Sequence, residues 1–167
     1  MTALMAAAPF DAQAREAEGE PDDVFWTASD CANPPDAPAM RIELSDVKSD
    51  KGNIRVALYN MDDDEFLASG ARIARIDVGA EQGDMDVCLP LPHAGSFAMA
   101  ILHDENANGR LDVFSEGYGF PNNPRLMFSP PNAKEAGFAV QDGETVVLPI
   151  TMKYVYPKKN TRGPRRR

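Results

Sequence analysis

Residues 40–59 read MRIELSDVKSDKGNIRVALY, and their apolar side chains recur at every second position. Met40, Ile42 and Leu44, with Val47 after them, mark a first strand, because successive side chains of a strand point to opposite faces. Ile54, Val56 and Leu58 repeat the pattern on one face of a second strand, with Arg55, Ala57 and Tyr59 on the other. Between the two lies Ser49-Asp50-Lys51-Gly52, whose glycine can take positive φ, so the stretch predicts a β-hairpin.

Outward from there the same alternation returns. Ile73, Ile76 and Val78 predict a third strand, Met85, Val87 and Leu89 a fourth, and Phe97, Met99 and Ile101 a fifth. After a long loop, Phe138 and Val140 predict a short sixth, and Asp142-Gly143 turns into a seventh, Thr145 to Tyr154. Met61–Gly70 amounts at most to a helical turn or two. The fold class is therefore all-β: a single antiparallel two-sheet sandwich of about seven strands, immunoglobulin-like or transthyretin-like, with a long loop after the fifth. Its core is the alternating set Ile42, Leu44, Ile54, Val56, Leu58, Val87, Phe97, Met99, Ile101, Val146, Leu148 and Ile150.

The ends differ from this body. Residues 1–14 are alanine-rich and apolar, closing on Ala12-Gln13-Ala14, a small-x-small pattern suited to signal-peptidase cleavage. A basic n-region is missing and the apolar run is short, so the reading is a signal-peptide remnant; an arbitrary leader is the alternative. Residues 15–39 form an extended approach segment, dense in proline around Cys31. The domain proper is 40–156, and residues 157–167 form a basic tail with nothing to bury, hence disordered.

The 167 residues carry a net charge of −9. Lys158, Lys159, Arg162, Arg165, Arg166 and Arg167 supply six positive charges at the end, so the rest stands at about −15. An acidic body repels phosphate backbones, which argues against nucleic acid, while its carboxylates suit hard cations. No stretch is long enough for a transmembrane helix. Cys31 and Cys88 are the only cysteines and neither sits in a CxxC pair. They are either buried thiols or, in an exported chain, a disulfide.

The segment 103–123, HDENANGRLDVFSEGYGFPNN, carries the chemistry. Asp104, Asn106, Asn108 and Asp112 occupy positions one, three, five and nine of an acidic loop, with Gly109 at six and the carbonyl of Arg110 at seven. This is the first half of the calcium loop D-x-[DN]-x-[DN]-G, in which alternate residues turn oxygens toward a hard cation. Leu111 is expected to anchor the loop back into the core. Position twelve is Ser115 in place of a glutamate, with Glu116 one step late, so Glu105, Glu116 or a loop from elsewhere is expected to complete the shell. The cofactor reading is Ca²⁺; the alternative is a solvated turn whose Asn and Asp side chains bond their own backbone.

SFAMAILHDENANGRLD (96–112), then EGYGFPNNP (116–124) and SPPNAKEAGF (129–138), resemble the bacterial domain-of-unknown-function family 2141. The likeness runs from about Met40 to Tyr154; Pro121 stands where that family usually has serine, and Phe128-Ser129-Pro130 replaces a glycine-containing turn. The resemblance implies a secreted or periplasmic β-sandwich and brings no established activity.

His103 lies beside Asp104 and invites a catalytic role, but a general base needs a positioned partner and a pocket. Its simpler role is to hydrogen-bond the adjoining loop. Tyr118, Phe120 and Phe128 either contact a ligand or fold down as a lid over one end of the sandwich. The leading function is a non-enzymatic, cation-stabilised binding or scaffold module of the cell envelope, with partner and oligomeric state open. The alternative is a metal-dependent hydrolase using the Asp104 loop and His103.

Overall fold

The computed structural model describes residues 28–31, 38–112, 114–127 and 129–155. The readings made for residues 1–27, 32–37, Phe128 and 156–167 lie outside them. Alternation becomes strand in nine places: β1 (Ala39–Val47), β2 (Asn53–Asn60), β3 (Arg72–Gly79), β4 (Gly83–Pro90), β5 (Gly95–Asp104), β6 (Gly117–Gly119), β7 (Gly137–Val140), β8 (Thr145–Thr151) and β9 (Lys153–Tyr154). No helix forms among the described residues. In the stretch 61–70, Asp62 caps a single turn: its Oδ1 accepts from the backbone of Asp64 and Glu65, and its carbonyl accepts from Phe66.

The strands divide into two sheets. A three-stranded sheet has the order β4-β1-β8, and a six-stranded sheet the order β3-β2-β5-β6-β9, with β7 paired to β5 beyond β6. Pairing is antiparallel except between β1 and β8, which run parallel. The chain enters β8 from β7 in the opposite sheet through a tight turn at 141–144, where the Glu144 N–H donates to the Gln141 carbonyl at 3.1 Å. So β8 makes no hairpin with the strand before it and is free to pair parallel with β1.

The hairpin predicted at Ser49–Gly52 does not form, because β1 and β2 lie in different sheets. Alternation says which side chains share a face, and two strands facing each other across a core satisfy it as well as two paired ones. Asp46 at φ 62° and a bulge between Leu44 and Val47 bend the end of β1, where Val47 still pairs with Gly83 of β4. Gly52, at φ 66°, then passes so close to the backbone of Asp104 and Glu105 that a Cβ there would collide with it. The connection is an arch over the end of β5.

The expected core is present. Eleven of its twelve residues are buried between the sheets, and Val146 packs partly buried against them. Each such aliphatic side chain, taken fully out of water, stabilises by about 1.5–3 kcal/mol. Two strands went unforeseen. The predicted seventh strand breaks at Met152, so β8 pairs with β1 while β9 crosses to β6. β6 itself reads Gly-Tyr-Gly and has no alternation to announce it.

A second apolar cluster lies apart from this core, and includes Ala57, Tyr59, Phe66, Ala98 and Phe120. Its β2 and β5 members alternate with the core residues of those strands, which places it on the outer face of the larger sheet. A disulfide joins Cys31 to Cys88 with Cα atoms 5.3 Å apart. Ser29 reinforces it: its backbone N–H and its hydroxyl both donate to the Cys88 carbonyl, at 2.8 and 3.1 Å.

Candidate functional site

Asp104 ends β5 and is 1% exposed. Its Oδ1 accepts from the Asn108 N–H at 3.1 Å and its Oδ2 from the Gly109 N–H at 2.7 Å, so the loop folds back over its own first residue. Ala107 at φ 56° and Gly109 at φ 79° make that reversal. Asn106 Oδ1 accepts from the Asn108 N–H at 2.9 Å, and Asn108 Oδ1 from the Arg110 N–H at 2.8 Å. The amide nitrogens of Asn106 and Asn108 both donate to Asp112 Oδ2, at 2.7 and 3.1 Å. These are Asx turns cross-linked on one carboxylate.

Glu116 lies beneath them, 1% exposed. Its Oε2 accepts from the Asp112 N–H at 2.8 Å, and Oε1 has no hydrogen-bond partner. Burial raises its carboxyl above the usual range; the backbone amides of Asp112 and Asn106 pull it down, and the charges of Asp104 and Asp112 push it up again. A buried acceptor without a donor is uncommon in a native fold.

Glu105, the other shell candidate, turns away from the loop. Ser49 Oγ donates to its Oε1, and Lys48 Nζ lies 3.5 Å from its Oε2. Burial raises this carboxyl, but Ser49 and Lys48 outweigh burial and hold it below the usual range. Lys48 also donates to the Ser115 carbonyl at 2.9 Å, so the arch between β1 and β2 grips both ends of the loop. Arg55 adds a third hold: Nη1 donates to the Gly109 carbonyl at 2.8 Å, while Nε and Nη2 form a fork on Asp77 at 2.6 and 3.0 Å.

His103 is fully buried. Its Nε2 faces the Lys51 carbonyl at 2.9 Å, which can only accept, so Nε2 carries the proton. Nδ1 then accepts from the Tyr154 hydroxyl at 2.7 Å, and that hydroxyl accepts from the Lys48 N–H at 3.0 Å. Both ring nitrogens are committed to holding the arch and β9 against β5.

Two expectations about the loop's surroundings are corrected. Leu111 does not anchor into the core: it is 42% exposed, because the loop travels over the outer face of the larger sheet. Phe120 does not plug an end of the sandwich either. It packs on that same outer face, 6.3 Å from Phe66, with Tyr118 beside it at 6.0 Å. Next to this cluster is a groove of about 630 Å³, with Ala57 and Ala100 among its lining and the exposed side chains of Leu111, Met127 and Val155 contributing to its walls.

Sequence reasoning missed Arg55, Lys48 and Ser49, which lie far from the loop in the chain. It also missed the work of Asn122 and Asn123, both at positive φ. Asn122 Nδ2 donates to the carbonyls of Glu135 and Gly137, tying the segment after β6 to the turn before β7. Proline and asparagine density signalled a turn there without indicating its partners.

Among the described residues, no three His, Cys, Asp or Glu side chains are grouped as they would be around a metal ion. The Asn106 and Asn108 amides, turned onto Asp112, stand among the loop's carboxylates. What the fold and loop define is an all-β two-sheet domain bearing an asparagine-rich acidic loop on its fifth strand. The chain belongs to the family described as Uncharacterized protein conserved in bacteria (DUF2141), whose model matches residues 42–147. No curated protein and no solved structure matches it.

Proposed function

We propose that this chain is an exported, non-enzymatic binding or scaffold domain of the cell envelope, and that its acidic loop is ordered by Ca²⁺. The observation that carries the calcium reading is the unpartnered Oε1 of Glu116, buried in a loop that also holds the carboxylates of Asp104 and Asp112. A divalent cation turns repulsion among those groups into attraction and supplies the missing partner. Asn106 and Asn108 would join it by rotating their amides off Asp112, with the Arg110 carbonyl as a further oxygen.

Export is supported by the Cys31–Cys88 disulfide, since such bonds persist in oxidising compartments. Among the described residues no helix is long and apolar enough to cross a membrane. His103 supports the non-enzymatic reading over the alternative built on it: a hydrolase drawing on His103 would need a ring nitrogen that Tyr154 and Lys51 already hold. The concave groove beside the loop suits a binding role.

Thermal melting of the full chain in calcium, magnesium and chelator tests the loop. A ligand that binds only the folded state stabilises it by about 2.7 kcal/mol at a hundredfold excess over Kd. Calcium should raise the melting temperature and Asp104→Asn should remove most of the rise, while magnesium, which demands a tighter shell, should substitute poorly. Unchanged melting and unchanged exchange protection of the loop amides in millimolar calcium would reduce the loop to a solvated turn.

A further inference from the structure

We infer that Glu116 is the closing ligand of the loop, taking the place that the twelve-residue calcium loop gives to its last position. The inference rests on the calcium reading above and specifies the carboxylate that completes the site.

β5 and β6 pair Leu102 with Tyr118 and His103 with Gly117. The ladder ends there, and Asp104 and Glu116 are the next residue on each side of it, near enough for the charge of Asp104 to act on the Glu116 carboxyl. Both residues are 1% exposed, so the fold sets two buried carboxylates against each other, where like charges destabilise. Asp104 spends each of its oxygens on a backbone N–H, yet each carboxylate oxygen has a further lone pair. Glu116 spends only Oε2.

This register also accounts for the spacing. In a loop flanked by helices the closing glutamate sits at position twelve, where the second helix begins. Here a strand takes that helix's place, and its ladder with β5 begins at Gly117, so position thirteen, not Ser115, is the residue that adjoins the ladder next to Asp104. Ser115 is exposed, and its hydroxyl and N–H both turn to the Asp112 carbonyl.

Calorimetric titration of the full chain with calcium chloride tests the assignment, on wild type, Glu116→Gln and Glu105→Gln. Glutamine keeps an acceptor for the Asp112 N–H and removes the repulsion with Asp104, so the calcium-free variant should melt no lower than wild type. Its calcium affinity should fall about tenfold or more, while Glu105→Gln should bind calcium within a factor of about two of wild type. Equal binding by wild type and Glu116→Gln overturns the assignment and leaves the calcium reading standing. No binding by wild type overturns both. If the glutamine variant does not fold, Glu116→Asp answers the same question, because it keeps the charge but draws it back by one methylene: weakened affinity supports the assignment and unchanged affinity overturns it.

Discussion

The side chain of Asn123 pairs with β8 as a strand would: its Nδ2 donates to the Pro149 carbonyl at 3.0 Å and its Oδ1 accepts from the Thr151 N–H at 2.8 Å. Asn123→Ala should cost about 1–2 kcal/mol in urea unfolding, from two hydrogen bonds lost at once. Asn123→Asp, which keeps the acceptor and loses the donor, should fall between.

Gly52 supports a steeper prediction. At φ 66°, and against the backbone of Asp104 and Glu105, it cannot accept a side chain without moving the start of the acidic loop. Gly52→Ala should destabilise by more than about 2 kcal/mol, because the left-handed backbone and the collision add. Loss of amide exchange protection at Asp104–Asn108 would locate the damage.

Arg55→Lys removes the fork on Asp77 and the hold on the Gly109 carbonyl while keeping the charge. The expected loss is about 1 kcal/mol, since a lysine cannot form the planar double contact. Exchange at the Gly109 and Asp112 amides should accelerate more than at Ile54 or Val56, which sit in the core of the same sheet.

Tyr154 governs the alkaline limb. Burial foremost, with the charges of Glu105 and Asp46, overcomes the Lys48 N–H and pushes its hydroxyl up to about 12. Its folded value lies above the unfolded value near 10, so the stability it contributes is complete below pH 10 and lost as pH rises through 12. Unfolding free energies measured from about pH 9 upward should decline for wild type, and Tyr154→Phe should flatten that decline while lowering stability at neutral pH, where His103 loses its donor.

The disulfide closes a span of 57 residues. In the chain-entropy account, Cys31→Ser or reduction should cost about 4 kcal/mol. Paired denaturation curves with and without reductant would measure it, and a difference below about 1 kcal/mol would contradict that account.

How much of this was legible in the chain divides by length scale. Ile42, Leu44, Ile54, Val56 and Leu58 declared a buried face because alternation is local, and they are buried. Which strand each would pair with was not local: Arg41 opposite Cys88 on one side and Val147 on the other is a long-range outcome of packing. The acidic loop shows the same split. Asp104, Asn106, Asn108 and Asp112 were recognisable from spacing, and the structure joins them by hydrogen bonds among themselves. Lys48, Ser49 and Arg55 reach the loop only through the fold, and nothing in their own neighbourhoods marks them.

The parallel pairing of β1 with β8 bears on how the chain acquires its shape. Ser45 of β1 meets Thr151 of β8 hydroxyl to hydroxyl, 106 positions apart in sequence. A chain emerging from its N-terminus can bring β4 to β1 early, but the other side of β1 stays open until residues 145–151 arrive. Contacts that close such long loops slow folding, so this domain should fold slowly for its size, with its last long strand completing the smaller sheet. A chain cut short before Thr145 would leave Met40, Ile42 and Leu44 without their neighbours on β8, holding it in a state that can still be threaded, degraded or captured.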